Sequence, residues 1–305
     1  MLIQLFLLAI GFVMLVKGAD WFVSGASSIA AKFKIPQLVI GLTIVAMGTS
    51  APEAAVSITA ALRGSADITI GNIVGSNILN VLVILGLSSI IVPIAIAKST
   101  VKIEIPFLIG TTVVLLLLGL DGIISLVDGL ILIALFVIYL LYLLRMAKNN
   151  PEETEESKPL KLWQALLATA VGLALIVLGS DFAVNAASEI ARMLGLSERF
   201  IGLTIVALGT SLPELFTSVT AARKGNADIA VGNIVGSNIF NILFVVGLSS
   251  MVTPVPFASN FVVDMLIAVA AVAALLAFTF KNRKLVRWHG IALILGYVAY
   301  FLYLL

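Results

Sequence analysis

The chain has 305 residues, of which 61% are hydrophobic and 11% are charged, and its formal net charge is +2. A soluble domain carries roughly a quarter charged residues, so this composition excludes a soluble protein and indicates one embedded in a membrane. The small net charge argues against a nucleic-acid partner, and the absence of cysteine excludes disulfides, thiol catalysis and Cys-based metal sites.

Ten apolar segments are candidates for helices that cross about 30 Å of hydrocarbon. In chain order they lie near 2–31, 37–62, 69–93, 103–119, 122–145, 163–193, 198–222, 229–253, 258–280 and 286–305. The first lacks a basic leader and its apolar pattern continues, so we expect a retained span and not a cleaved signal. The charged segment 146–162 is the one clearly solvated stretch, and we interpret it as a linker.

The two halves of the chain repeat each other. The segment that begins at Gly41 returns at Gly202, 161 residues later and without a gap, with well over half of the positions identical. Because five spans is an odd number, the second half enters the membrane from the opposite side. We therefore predict an all-α membrane protein with ten transmembrane helices in two inverted five-helix repeats, 1–145 and 163–305, joined by the linker 146–162. Two similar halves of a membrane chain are typical of transporters.

The distribution of Lys and Arg predicts the orientation of the chain. Fourteen of these residues fall in loops on the side of the linker, whereas three, Arg63, Arg192 and Arg199, fall on the other side. Positive residues favour the cytoplasmic side. We therefore predict a multi-pass protein of the cell membrane with a cytoplasmic linker and both termini outside.

Two spans carry a carboxylate within apolar sequence. In the second span Thr49, Glu53 and Ser57 recur every four residues and share one helix face, with Ser50 beside them. Pro52 lacks an N–H group and loosens the helix, so that backbone carbonyls become free to bind a cation. The seventh span repeats the pattern with Thr210, Ser211, Pro213, Glu214 and Ser218.

The third and eighth spans add amides and hydroxyls at the same spacing. The residues are Asn72, Ser76 and Asn80 in the third span and Asn233, Ser237 and Asn241 in the eighth. The whole set offers only oxygen ligands, which hard cations prefer, and Ca²⁺ takes 6–8 of them. Two carboxylates balance the charge of one Ca²⁺, while Na⁺ also accepts hydroxyl and carbonyl oxygens. No cofactor is expected, since the ions are substrates.

The residues leave other interpretations open. Glu53 and Glu214 could cap broken helices, or could share protons because buried like charges repel each other. A passive cation channel is a further alternative, although broken helices in inverted repeats favour alternating access. An enzyme is not expected, because Asp20 and Asp181 lack a protease-like motif and the single histidine, His289, lacks a serine nucleophile nearby.

The motifs GTSAPE with GNIVGSNILN, and GTSLPE with GNIVGSNIFN, resemble the two alpha repeats of the Ca²⁺/cation antiporter superfamily, and most of all its prokaryotic Na⁺/Ca²⁺ exchanger branch. The resemblance covers essentially the whole chain. It implies ten helices, ion sites in mid-membrane, and direct ion binding by the acidic residue of each motif. It further implies that the first and sixth spans slide across the other eight to switch access.

The resemblance assigns the ion ligands residue by residue. They are Glu53, Glu214, Thr49, Thr210, Ser50, Ser211, Ser76, Ser237, Asn80, Asn241 and the backbone carbonyls of Ala46 and Ala207. K⁺-dependent members carry Asp at the position of Asn241, so its amide argues against K⁺ dependence. Proton-coupled members place their acid in a GN-x-x-E pattern that is missing here, which favours Na⁺ coupling.

We therefore expect a secondary active transporter that exchanges Na⁺ for Ca²⁺ by alternating access. An H⁺/Ca²⁺ exchanger is the alternative. The expected partners are Ca²⁺ and Na⁺ as substrates and the lipid bilayer, without nucleic acid, and the protein is expected to function as a monomer.

Overall fold

The computed structural model describes residues 1–63, 66–151, 160–195 and 207–304, and they are mostly helical. The helices are α1 (Leu2–Phe33), α2 (Gln37–Thr49), α3 (Ala51–Leu62), α4 (Ile68–Ile91), α5 (Thr100–Gly119), α6 (Leu126–Asn149), α7 (Leu162–Met193), α8 (Ala207–Thr210), α9 (Leu212–Arg223), α10 (Ala227–Val252), α11 (Phe261–Phe280) and α12 (Arg287–Leu304). Short π-helical segments lie within α2, α4 and α10, at Gly41–Val45, Asn80–Leu85 and Asn241–Val246, and Thr100–Glu104 forms a π-helical start of α5.

The helices match a multi-pass membrane protein. Seven of them, α1, α4, α5, α6, α7, α10 and α11, are each long and apolar enough to cross a membrane. The bent pair α2–α3 forms an eighth span if it is taken as one. Residues 152–159 of the predicted linker and residues 198–206 of the predicted seventh span lie outside the described residues. The helical membrane fold is confirmed, and the count of ten spans stays a prediction.

Two short antiparallel strand pairs, which were not predicted from the sequence, join loops from the two halves. β1 (Ile94–Ala95) pairs with β4 (Lys284–Leu285). β2 (Ile123–Ile124) pairs with β3 (Val255–Pro256). Each pair satisfies backbone hydrogen-bonding groups at a point where the chain leaves one helix and enters the next.

The repeated motif helices α4 and α10 form the centre of the protein. The apolar stretch of α10 is 94% buried within the protein and that of α4 is 78% buried, against 22% for α1 and α7. The lipid-facing pair α1 and α7 instead pack along each other. Their approach requires glycine, because a Cβ atom on Gly18 would lie 2.8 Å from the carbonyl oxygen of Gly172.

Helix α6 begins later than predicted, and a cap explains the difference. The Ser125 N–H donates to Oδ2 of Asp128 at 2.7 Å, and the Asp128 N–H donates to Oγ of Ser125 at 3.4 Å. This reciprocal arrangement is a capping box, which fixes the first turn of a helix. Residues 122–125, which we predicted as the start of the fifth span, therefore form β2 and the cap.

Candidate ion-binding site

The predicted break in the second span lies at Ser50, between α2 and α3. The two helices are bent by 50° at this point, and Pro52 lies in the first turn of α3. The second repeat breaks at the same position, where Ser211 separates α8 from α9 and Pro213 lies in the first turn. Proline is favoured there because its missing N–H has no helical partner in the first turn.

The break places each glutamate in the first turn of a helix. Glu53 lies in the first turn of α3 and Glu214 in the first turn of α9. Both side chains are 0% exposed. The positive end of the helix dipole favours negative charge in this turn, so the same sequence device that breaks the span also stabilises its carboxylate.

The two motifs meet, and each serine of the break contacts the glutamate of the other half. Ser50 Oγ donates to Oε1 of Glu214 at 2.8 Å. Ser211 Oγ lies 3.5 Å from Oε1 of Glu53. The two residues of each crossed contact are far apart in the chain, by 164 positions for the first contact and 158 for the second. The structure therefore brings the two motif serines and the two glutamates together.

Four buried carboxylate and amide oxygens of the predicted ligands accept no hydrogen bond from any described residue. They are Oε2 of Glu53, Oε2 of Glu214, Oδ1 of Asn80 and Oδ1 of Asn241. All four side chains are 0% exposed. A buried acceptor without a partner is costly, and a buried carboxylate without a counter-charge is more so. Neither glutamate has a basic partner among the described residues, so the set is suited to a cation.

Asn80 and Asn241 each begin a π-helical segment. Such segments are frequent at functional sites because they re-aim side chains within a helix. The Nδ2 atom of Asn80 donates to Oδ1 of Asn238 at 2.9 Å, and that of Asn241 donates to Oδ1 of Asn77 at 3.1 Å. The amide oxygens of both residues are left without a donor. Asn77 and Asn238 were not predicted as site residues, although their repetition beside the predicted serines was a signal.

The predicted hydroxyl ligands do not all reach the glutamates. Ser237 Oγ lies 3.5 Å from Oε1 of Glu214 and 3.3 Å from the carbonyl oxygen of Ala46. Its repeat equivalent Ser76 forms no hydrogen bond to Glu53, and instead lines a cavity of about 320 Å³ beside Asp264. Identical motifs are therefore used differently in the two halves of this structure.

The predicted threonines and carbonyls also differ between the halves. Thr49 Oγ1 lies 2.9 Å from Oδ1 of Asn233, with the carbonyl oxygen of Ala46 at 3.3 Å. Thr210 instead lines a second cavity, described below. Ala207 begins α8, and its side chain lies outside the described residues.

Asn72 and Asn233 hold the first turns of the glutamate helices. The Nδ2 atom of Asn72 donates to Oγ of Ser57 at 3.0 Å and lies 3.3 Å from the Glu53 carbonyl oxygen. Asn233 Nδ2 makes the equivalent contact to Ser218 Oγ at 2.9 Å and lies 3.4 Å from the Glu214 carbonyl oxygen. These amides therefore act on the glutamate backbone and not on the carboxylates.

A cavity of about 490 Å³, here called the polar cavity because polar side chains of α7 line it, lies between α7 and the helix breaks of the two repeats. Asp181, Asn185 and Ser188 line its α7 wall, and Pro52 and Thr210 line its inner end. Pro52 precedes Glu53 in the chain. In the predicted topology this cavity therefore lies on the side opposite the linker, next to the first turn that carries Glu53.

The chain is similar to known membrane proteins along its full length. The family model described as Sodium/calcium exchanger protein matches residues 3–145 and 164–305. The inner membrane protein YrbG of Escherichia coli is 35% identical, with 98% of this chain and 96% of YrbG covered. The sodium/calcium exchanger MaX1 of Methanosarcina acetivorans is 31% identical, with 98% and 97% covered.

The fold is also that of a solved structure. The sodium-calcium exchanger NCX_Mj, soaked with zero Na⁺ and Ca²⁺, superimposes with a TM-score of 0.87 at 34% identity, and covers 100% of this chain and 99% of its own. A match of both halves to one family model, together with this whole-chain similarity, establishes the family. The chain belongs to the sodium/calcium exchanger family.

Proposed function

We propose that the protein is a secondary active transporter that exchanges Na⁺ for Ca²⁺ across the membrane by alternating access. One observation carries the proposal: two buried carboxylates lie together without a basic partner among the described residues, beside amide oxygens that have no donor. A charge of −2 is balanced by one Ca²⁺ or by two Na⁺. Occupancy by one kind of ion therefore excludes the other, which is what an exchanger needs.

The ligand set that we propose has an inner and an outer part. Glu53, Glu214, Asn80 and Asn241 form the inner part, since each has a free oxygen. The outer part consists of Ser50, Ser211, Ser237, Thr49, Thr210, Ser76 and the carbonyls of Ala46 and Ala207. Hydroxyl and carbonyl oxygens without charge suit Na⁺, whereas the two carboxylates suit Ca²⁺. The relatives named as sodium/calcium exchangers support this choice of ions.

An asymmetry between the two halves supports alternating access. On the linker side, Lys224 pairs with Asp20 of α1 at 2.7 Å and donates to Ser24 Oγ at 2.6 Å. The repeat equivalents Arg63 and Asp181, both among the described residues, form no ion pair with each other, and Asp181 lines the polar cavity. We infer that the pair closes the linker side here, and that the equivalent pair closes the other side in the alternate state.

The remaining topology belongs to the same proposal. We propose ten spans in two inverted repeats, 1–145 and 163–305, with the linker 146–162 in the cytoplasm and both termini outside. The Lys and Arg bias supports this orientation. We further propose that the protein functions as a monomer and needs no cofactor. Because the chain has no cysteine, single introduced cysteines labelled with an impermeant maleimide report the side of each loop directly.

An H⁺/Ca²⁺ exchanger is the second candidate, because a proton would also satisfy the free oxygen of each glutamate. The two candidates differ in which gradient drives Ca²⁺. A Na⁺ gradient drives uptake into proteoliposomes in the first case, and a proton gradient alone drives it in the second.

The test of the site uses glutamine variants. Glu53→Gln and Glu214→Gln each remove one charge and are expected to abolish Na⁺-gradient-driven ⁴⁵Ca²⁺ uptake, because the remaining charge of −1 no longer balances Ca²⁺. Glu104→Gln is the matched control, since Glu104 is also 0% exposed and also has one unpartnered oxygen, but it lies in α5, outside the proposed ligand set. Its other oxygen accepts from Tyr142, and a glutamine oxygen can still accept. Near-normal uptake by both site variants would refute the assignment.

A further inference from the structure

Asn77 and Asn238 form a reciprocal pair at the contact between α4 and α10. Asn77 Nδ2 donates to the carbonyl oxygen of Asn238 at 3.1 Å, and Asn238 Nδ2 donates to that of Asn77 at 3.0 Å. Their side chains are 5% and 1% exposed. Because both residues are buried, water does not compete for these bonds. The NH₂ group of each asparagine is held by the carbonyl oxygen of the other, and its Oδ1 points away from that carbonyl.

Each of these oxygens accepts from a proposed ion ligand of the opposite half. Asn80 Nδ2 donates to Asn238 Oδ1 at 2.9 Å, and Asn241 Nδ2 donates to Asn77 Oδ1 at 3.1 Å. An asparagine has its oxygen and its NH₂ group on opposite sides of the same planar amide. Once the NH₂ group of Asn80 is held, its oxygen faces away from Asn238 and accepts no hydrogen bond.

A flip of either ligand amide would be penalised. If Asn80 turned over, its oxygen would face Asn238 Oδ1, so that two acceptors would meet without a proton between them. Asn238 cannot turn to relieve this contact, because its own NH₂ group is held by the Asn77 carbonyl. A carboxylate at position 80 or 241 would meet the same obstacle. The network therefore selects a neutral amide whose oxygen faces the site.

We propose that Asn77 and Asn238 are positioning residues, which hold the Asn80 and Asn241 oxygens toward the transported cation and keep the charge of the site at −2. This inference rests on the proposed function, because it assumes that the ions bind at these oxygens. Neither residue is assigned to contact an ion. Both act through the asparagine of the other repeat, so each half of the chain prepares a ligand that belongs to its partner half.

The test compares variants that differ in the oxygen they offer. Asn77→Leu and Asn238→Leu fill the space but remove both the donor and the acceptor, which frees the ligand amide to turn. Ser89→Ala is the control, since this buried hydroxyl of α4 bonds only the carbonyl of Gly86 in its own helix.

The measurements are the half-saturating Ca²⁺ concentration for exchange and the Ca²⁺ dependence of thermal stabilisation of purified protein. The Leu variants are expected to raise the half-saturating concentration about 10–100-fold, the usual effect of removing a residue that orients a metal ligand. Ser89→Ala is expected to match the starting protein.

A merely structural role would lower the yield of folded protein or the maximal rate and leave the half-saturating concentration unchanged, and that result overturns the proposal. If the Leu variants do not fold, Asn77→Ser takes their place and is expected to raise the half-saturating Ca²⁺ concentration in the same way. An unchanged concentration for Asn77→Ser would also overturn the proposal. The Ca²⁺-dependent stabilisation needs no Na⁺ gradient. If a Na⁺ gradient drives no Ca²⁺ uptake but the Leu variants still shift the Ca²⁺ dependence of stabilisation, the proposed exchange is refuted and the positioning role stands.

Discussion

Neutralising Lys224 should open the linker side of the transporter. Lys224→Met removes the ion pair between Lys224 and Asp20. The two side chains are 30% and 50% exposed, respectively. A partly exposed pair contributes about 0.2–1 kcal/mol. Because about 1.4 kcal/mol is a tenfold change in an equilibrium constant, the fraction of molecules open on the linker side should rise by up to about fivefold.

The assay uses Val23→Cys in the otherwise cysteine-free chain. Val23 is 0% exposed, whereas its repeat equivalent Val184 lines the polar cavity on the other side. In the alternate state we expect Val23 to line the matching cavity, so its rate of maleimide modification from the linker side reports that state.

The control is Lys17→Met, which removes an exposed lysine of α1 that has no ion pair among the described residues. The modification rate should rise for Lys224→Met and stay unchanged for Lys17→Met. High salt should reduce the difference between the starting protein and Lys224→Met, because it screens the pair. An unchanged rate for Lys224→Met would refute the closing role of this pair.

Two further predictions concern the scaffold. Gly18→Ala places a Cβ atom 2.8 Å from the Gly172 carbonyl oxygen. This overpacking should lower the unfolding temperature by the equivalent of about 1–3 kcal/mol. Gly75→Ala is the control and should not lower it, because a Cβ atom at Gly75 has nothing within 4 Å. Tyr142→Phe removes the donor to Glu104 and should cost about 1–3 kcal/mol for an unsatisfied buried carboxylate. Denaturation of purified protein followed by fluorescence checks both, and equal stability of the two glycine variants would contradict the first.

Much of the site follows from the sequence because the motif is repeated. Gly48 and Pro52 flank the break, and the structure places it at Ser50 between them. The chemical types of Glu53 and Glu214 already indicated a hard-cation site. What the pattern cannot show is the crossing of partners, since Ser50 contacts Glu214 and not the glutamate of its own motif. Such contacts depend on how the two halves are packed.

The conformational state is also invisible in the sequence. Ser76 and Ser237 occupy identical motifs, yet only Ser237 reaches a glutamate in this structure. Two equal sequences can differ only through the surrounding packing, which a sequence motif does not define. The roles of Asn77 and Asn238 were missed for a related reason, because the direction of an amide becomes defined only when its partner is in place.

The most direct test of the account compares ⁴⁵Ca²⁺ flux in proteoliposomes under an imposed Na⁺, H⁺ or K⁺ gradient, with the same preparation of protein in each case. Na⁺/Ca²⁺ exchange predicts Ca²⁺ uptake driven by an outwardly directed Na⁺ gradient, with no requirement for K⁺. Uptake driven by a proton gradient and indifferent to Na⁺ would contradict Na⁺ coupling. Flux too fast for a carrier cycle would contradict alternating access itself.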